Sequence, residues 1–239
     1  MNVEGNRRPV EAAEKSLFKL GGVAALIVAV VILGEVIFQA ISPLPGTVVE
    51  WFDLFQRNRL IALVEFWGLE VVMYIMFIIV FLALYSVLNN VDQTRMLIAV
   101  TFAFIGIGIF LATNNPFTML SLSDQYAVAN TAAQKSVFVA AGQALLANTN
   151  QRTVGGFNMG LFLVSIAGLT VSTVMLRSQF FSRRTACAGI AANALSLIDY
   201  LRQALTSAEI VAVLVILPNA ILLVIWYVLI FRRLYRLGD

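Results

Sequence analysis

The sequence predicts an all-α, polytopic integral membrane bundle, and three observations predict it. Of 239 residues, 60% are hydrophobic and 12% charged, about half the charged share of an ordinary soluble domain. The mean hydropathy is +0.89, so much of the surface must face something other than water. Six stretches of roughly twenty predominantly apolar residues recur along the chain, each long enough to cross a hydrocarbon core of about 30 Å.

The first span covers residues 20–41, opens on Gly21-Gly22 and stops before Ser42-Pro43-Leu44-Pro45-Gly46, a breaker that no helix tolerates in its interior. Its apolar stretch is too long for a cleaved signal peptide, and Phe38-Gln39-Ala40 lacks a small-x-small cleavage site. The second, 60–88, is the longest and must tilt or project beyond the lipid. The third, 94–113, ends at Asn114-Asn115-Pro116. The fourth, 156–176, leads into the basic connection from Arg177 to Arg184. The fifth, 185–201, is short. Its Cys187, Ala188, Gly189, Ala191, Ala192 and Ala194 permit the close backbone approach by which helices associate in lipid, which places it centrally. The sixth, 208–231, is kinked by Pro218-Asn219 and ends in Arg232, Arg233 and Arg236.

Basic residues set the orientation, because positively charged loops are retained on the cytoplasmic side. Eleven lysines and arginines fall on the side of the N-terminus, the 89–95 turn, the 177–184 turn and the C-terminus, against five on the other. The expectation is therefore N-in and C-in, with 1–19 cytoplasmic and 113–155 extracytoplasmic. Within that connection, 124–148 is alanine-rich and carries the capping pattern Ser121-x-x-Asp124. A seventh crossing there would bury Lys135 in lipid and reverse the basic clusters, so the stretch is expected to be an outer-face helix, in the interface or dipping into the bundle. The whole chain, 1–239, is expected to form one transmembrane domain.

Composition also excludes chemistry. With no histidine and a single cysteine, Cys187, the chain has no His-ligated haem or zinc, no Ser-His-Asp or Cys-His nucleophile and no intramolecular disulfide. No catalytic residue, metal or cofactor is implied. A net charge of +3, dispersed along the chain, does not describe a nucleic-acid-binding face.

Three glutamates lie inside the predicted spans, and each costs about 2.5–3.5 kcal/mol on insertion scales unless paired, hydrated or neutralised. Glu35 and Glu65 are about 8–9 Å from the outer ends of their spans at 1.5 Å per residue, while Glu70 lies near the midplane without a local basic partner. On an ideal α-helix Glu65 and Glu70 point about 140° apart. Gln39 stands one turn beyond Glu35. Glu35, Gln39, Glu65, Glu70 and Lys135 are the candidate substrate-binding residues, with Asn114, Asn115, Gln143, Asn158 and Asp199 completing a polar pocket in the outer half. Trp51, Trp67, Trp226 and Tyr235 fit interfacial anchoring or lipid contact better than ligand stacking.

The layout resembles a family of bacterial six-span membrane proteins, domain of unknown function 4386. The likeness lies in Gly34-Glu35, in Met175-Leu176-Arg177-Ser178 with Phe180-Phe181, in Thr185-Ala186 and Gly189-Ile190, and in Trp226 followed by Leu234 and Leu237-Gly238. The 113–155 connection departs from the commoner members. The resemblance implies a multi-pass bundle in the bacterial inner membrane and supplies no substrate or activity.

Three functions compete. A small-molecule or proton-linked carrier, or a receptor, needs a polar cavity open to the outer face, taking a small polar or cationic ligand. A structural or accessory membrane subunit needs only acids that bind neighbouring helices. A lipid-active enzyme needs a matched acid pair, for which Glu35 with Glu65 is the only couple at equal depth. Membrane lipid is a partner under all three.

Overall fold

The computed structural model describes residues 4–41, 45–149, 158–205 and 209–239, and their side chains apart from those of 4–12, 39–41, 148–149, 203–205 and 209–214. Every regular element among the described residues is helical: α1 (Glu4–Ile41), α2 (Val48–Arg57), α3 (Arg59–Leu63), a π-helical turn (Val64–Gly68), α4 (Leu69–Leu88), α5 (Gln93–Thr113), α6 (Pro116–Val128), α7 (Ala132–Thr149), α8 (Met159–Met175), α9 (Arg183–Leu205) and α10 (Glu209–Gly238).

Four helical runs are long and apolar enough to cross a membrane: Ala13–Phe38, Arg59–Leu88, Gln93–Val128 and Val215–Gly238. The third of these runs through α5 and α6 and includes the break at Asn114-Asn115. Helix α8 is apolar but shorter. Helix α9 has the length and not the hydropathy, because Asn193, Ser196, Asp199 and Arg202 interrupt its small and apolar residues.

Packing arranges six helices in a closed ring: α4 lies against α1, α1 against α10, α10 against α9, α9 against α8, α8 against α5, and α5 again against α4. One large apolar core fills the ring, with Tyr74, Phe77, Phe81, Phe110, Trp226 and Tyr227 as its bulkiest members. The Tyr74 and Phe110 rings stack at 3.7 Å and 7°. Outward, Val30, Leu33, Ile75, Leu97, Ile105 and Ile225 are exposed, as expected of helix faces that meet acyl chains rather than water.

Trp226 is buried to 1% exposure instead of anchoring an interface. Gly189 on α9 makes room for it: a Cβ there would collide with Ser172 Oγ and the Trp226 indole, and on the facing α8 a Cβ on Gly168 would collide with the Asn193 amide. The run of small residues that places α9 against its neighbours therefore has a specific use, the seating of an indole from α10.

The connections from α1 to α4 and from α5 to α8 leave α2, α6 and α7 at the end of the ring where α1 finishes and α8 starts. These three helices share a second apolar cluster of Val48, Trp51, Phe52, Phe55, Met119 and Leu146, joined to the second span through Ala62 and Phe66. Trp51 is fully buried there, with its ring edge-on to Phe66 at 5.0 Å. It too is a core residue and not an interfacial anchor.

Two expectations are corrected. The helix expected over 124–148 is two helices, broken at 129–131. The break has a local cause: the Thr131 hydroxyl accepts from Gln134 N, while Gln134 Oε1 accepts from Asn130 N and Thr131 N, a reciprocal cap that starts α7. Ser121 and Asp124 lie inside α6, whose actual cap is Asn115, followed by Pro116 at the first turn. The wheel angle between Glu65 and Glu70 also changes. Hydrogen bonds in a π turn join residues five apart, so passing through Val64–Gly68 brings the two acids closer in azimuth than an unbroken α-helix does.

Replacing Gly189 with leucine overpacks the α8–α9–α10 contact and is expected to lower stability by about 1–3 kcal/mol, read as a lower Tm in detergent. The matching substitution at Gly34, where nothing lies within 4 Å of an added Cβ, leaves Tm close to that of the parent protein.

Candidate functional site

Helix α9 presents a polar stripe to the ring. Asn193, Ser196, Asp199 and Tyr200 recur at helical spacing, and all four are buried. The Asn193 side chain donates to the Gly189 carbonyl at 2.8 Å. Ser196 Oγ accepts from Asn219 Nδ2 at 2.9 Å, tying α9 to α10 beside Pro218. Asp199 Oδ1 accepts from Arg202 Nε at 3.0 Å and from Nη2 at 2.8 Å, and the two side chains are 6% and 13% exposed. A charge pair this far from water persists because each member offsets the desolvation of the other.

This stripe forms one wall of a cavity of about 130 Å³. Glu35 of α1 faces it, as do Ser165 of α8 and Asn219 and Tyr227 of α10; Ile32, Met73, Phe77, Val164 and Leu223 are among its apolar walls. The lining residues of α1, α8 and α9 lie toward the ends of their helices that adjoin the 42–44, 150–157 and 206–208 connections. The cavity therefore occupies the half of the ring nearest α2, α6 and α7.

Beside it, the Tyr74 hydroxyl donates to Asn158 Oδ1 at 3.3 Å. The same oxygen caps α8 by accepting from Leu161 N at 2.8 Å. Tyr74 thus ties α4 to the first turn of α8 beside the cavity.

The five candidates from the sequence separate in space. Glu35 lines the cavity. Glu70 is half-buried at the start of α4, outside the lining and one helical turn from Tyr74. Glu65 is half-buried on the π turn and does not line the cavity. Lys135 is exposed on α7, with its ammonium 5.3 Å from the Tyr126 ring centroid. Gln39 lies outside the described side chains. Asp199 and Asn158, named as secondary pocket members, do lie at or beside the cavity, whereas Gln143 is exposed on α7.

The residues not anticipated are Ser165, Asn193, Ser196, Asn219 and Tyr200. Their signal was present as Asn193-x-x-Ser196-x-x-Asp199, a polar repeat along one face of a helix otherwise made of small and apolar residues. The arrangement offers carboxylates, hydroxyls and amides beside apolar and phenolic walls, which suits a small solute bearing positive charge or hydrogen-bond donors. Among the described residues no group of three or more His, Cys, Asp or Glu side chains is placed to hold a metal ion.

Residues 16–232 match the family model described as Domain of unknown function (DUF4386), and the chain belongs to that family. No curated protein and no solved structure matches it significantly.

Removing one member of the Asp199–Arg202 pair should cost more than removing both. Asp199→Ala is expected to destabilise by about 3 kcal/mol, whereas the double replacement Asp199→Leu with Arg202→Met costs well under that. Thermal unfolding of the purified variants in one detergent makes the comparison.

Proposed function

We propose that this member of the family is a small-molecule or proton-linked carrier, or a receptor, with a polar cavity open to the outer face of a bacterial inner membrane. In this reading the six ring helices all cross the bilayer as a single domain, with both termini cytoplasmic. Helix α8 and the polar α9 cross because they complete the ring between flanking apolar helices, a position that shields the α9 stripe from lipid. Eleven basic residues at one end against five at the other support the orientation.

The observation that carries the reading is the meeting of Glu35 with the Asn193–Ser196–Asp199 stripe around one cavity. Glu35 is the residue proposed to receive a proton or the positive charge of a small polar or cationic ligand. Glu70 supports it through Tyr74. Gln39, one turn from Glu35, is proposed at the mouth, while Glu65 and Lys135 flank the entrance from the π turn and α7. Membrane lipid surrounds the ring.

One observation favours the accessory reading as the second choice. The Ser196–Asn219 contact joins α9 to α10, as polar glue between helices does, and Asp199 is already paired with Arg202 within α9.

Two measurements decide. With Cys187→Ser as background, a cysteine introduced at Gln125 should react with a membrane-impermeant thiol reagent added outside intact cells, and one at Ser178 should react only after permeabilisation. Labelling of both from the same side contradicts the topology. In proteoliposomes, triethylammonium uptake or proton-coupled efflux should exceed that of empty vesicles and fall at least roughly tenfold in Glu35→Gln, the change expected when about 1.4 kcal/mol of differential interaction is lost. For a receptor, saturable triethylammonium binding shows the same loss without uptake. An absence of both binding and movement, with Glu35→Gln equal to the parent, favours the accessory reading.

A further inference from the structure

The end of the ring opposite the cavity is strongly and unevenly charged. Among the described residues, nine basic side chains there stand against three acidic ones, while the cavity end outside the ring balances three of each. Two of the three acids, Asp92 and Asp239, are already paired. Lys19 meets Asp239 at 3.0 Å and Lys15 donates to the Asp239 carbonyl oxygen at 3.1 Å, Arg95 meets Asp92 at 3.2 Å, Arg177 shares that carboxylate at 4.0 Å, and Arg233 donates to the Phe180 carbonyl.

Arg183, Arg184, Arg232 and Arg236 remain, all exposed, with no acidic partner among the described residues. They are also close to one another by register. Helices α9 and α10 run antiparallel with Trp226 against Gly189, and Arg233 reaches the Phe180 carbonyl just before α9 begins. The start of α9 and the last turns of α10 therefore form one corner. No acid occupies the first turn of α9, where a negative charge is ordinarily favoured. Leu176, Phe180 and Tyr235 are exposed nearby, giving the corner an apolar flank.

We propose that this corner is a binding surface for the headgroups of anionic phospholipids. It rests on the membrane-crossing reading of the ring and does not depend on which side faces the cytoplasm. In a bilayer the end of α10 lies at headgroup depth, so lipid phosphates are the anions held at high local concentration beside these guanidiniums. Guanidiniums bind phosphate oxygens through paired N–H donors, while the exposed Leu176 and Phe180 side chains meet the upper acyl chain. An arginine cluster without carboxylates disfavours its own assembly by like-charge repulsion, and the lipid phosphate removes that repulsion.

The test is thermal unfolding of the full-length protein in detergent, with phosphatidylglycerol, phosphatidylcholine or inorganic phosphate added at equal concentration. A ligand that binds only the folded state raises Tm. Phosphatidylglycerol is expected to raise it by several degrees more than phosphatidylcholine does, inorganic phosphate to leave it unchanged, and high salt to erase the difference. The double variants Arg183→Gln with Arg184→Gln, and Arg232→Gln with Arg236→Gln, are each expected to lose at least half of that difference, while Lys135→Gln at the other end retains it. Two double variants are used so that one remains readable if the other fails to fold; if neither folds, the salt and headgroup responses of the parent decide. Equal stabilisation by both lipids overturns the proposal and leaves the membrane-crossing reading standing. Stabilisation by neither overturns it and counts against that reading also, and an effect reproduced by inorganic phosphate or retained in a folded double variant overturns the lipid assignment.

Discussion

The structure turns on the cost of placing a charged, hydrogen-bonding helix inside a ring whose outer face is oil-like. Helix α9 carries Asn193, Ser196, Asp199 and Arg202 through a region where unsatisfied polar groups are expensive. Each is answered by a neighbour: Asn193 by a carbonyl of its own helix, Ser196 by Asn219 of α10, and Asp199 by Arg202. Closing α4, α1, α10, α9, α8 and α5 into a ring gives those groups an interior to face. The cavity with Glu35 on its wall is what remains where that polar stripe meets aliphatic and phenolic walls that cannot fill the space against it.

Tight packing elsewhere makes this interior possible. Gly168 and Gly189 let Asn193 and Trp226 approach where any side chain would collide, and Trp226 fills space that a polar helix cannot fill by itself. The Tyr74–Phe110 stack fixes α4 against α5, and the Tyr74 hydroxyl on the Asn158 cap fixes it against the start of α8 at the edge of the cavity. Helices α2, α6 and α7 hold a separate apolar cluster and meet the ring through Ala62 and Phe66, beside the π turn. Cover and bundle are thus two packing units joined at an irregular segment of backbone, a place where π turns often accompany function.

Much of this was legible from residue order. Apolar length found α1, α4, α5 and α10, because a run such as Leu69–Leu88 has few alternatives to a membrane-crossing helix. Capping chemistry was the signal passed over: Thr47-x-x-Glu50 starts α2 and Thr131-x-x-Gln134 starts α7, whereas Ser121-x-x-Asp124 falls inside a helix that Asn115 had already started. Tryptophan was misjudged because amphipathic side chains favour interfaces on average, while Trp51 and Trp226 have pockets built for them. The site was half legible. An acid inside a span identifies itself, which is why Glu35, Glu65 and above all Glu70 stood out, but no one-dimensional rule says that Glu35 lines the cavity while Glu65 and Glu70 do not. That depends on ring order and on the π turn, both products of tertiary packing.

The central claim is that the polar stripe of α9 faces an interior and not lipid. Spin labels placed singly at Ser196 and at Ile198, in the Cys187→Ser background and in bilayers, test it most directly. The label at Ile198, a residue 54% exposed on the outer face of α9, should be relaxed by lipid-dissolved oxygen and be insensitive to a water-soluble paramagnetic agent. At Ser196 the preference should reverse, with the polar agent the more effective. Oxygen dominance at Ser196, or equal responses at the two positions, would mean that α9 is not held within a closed ring, and the cavity built on its stripe would have no walls.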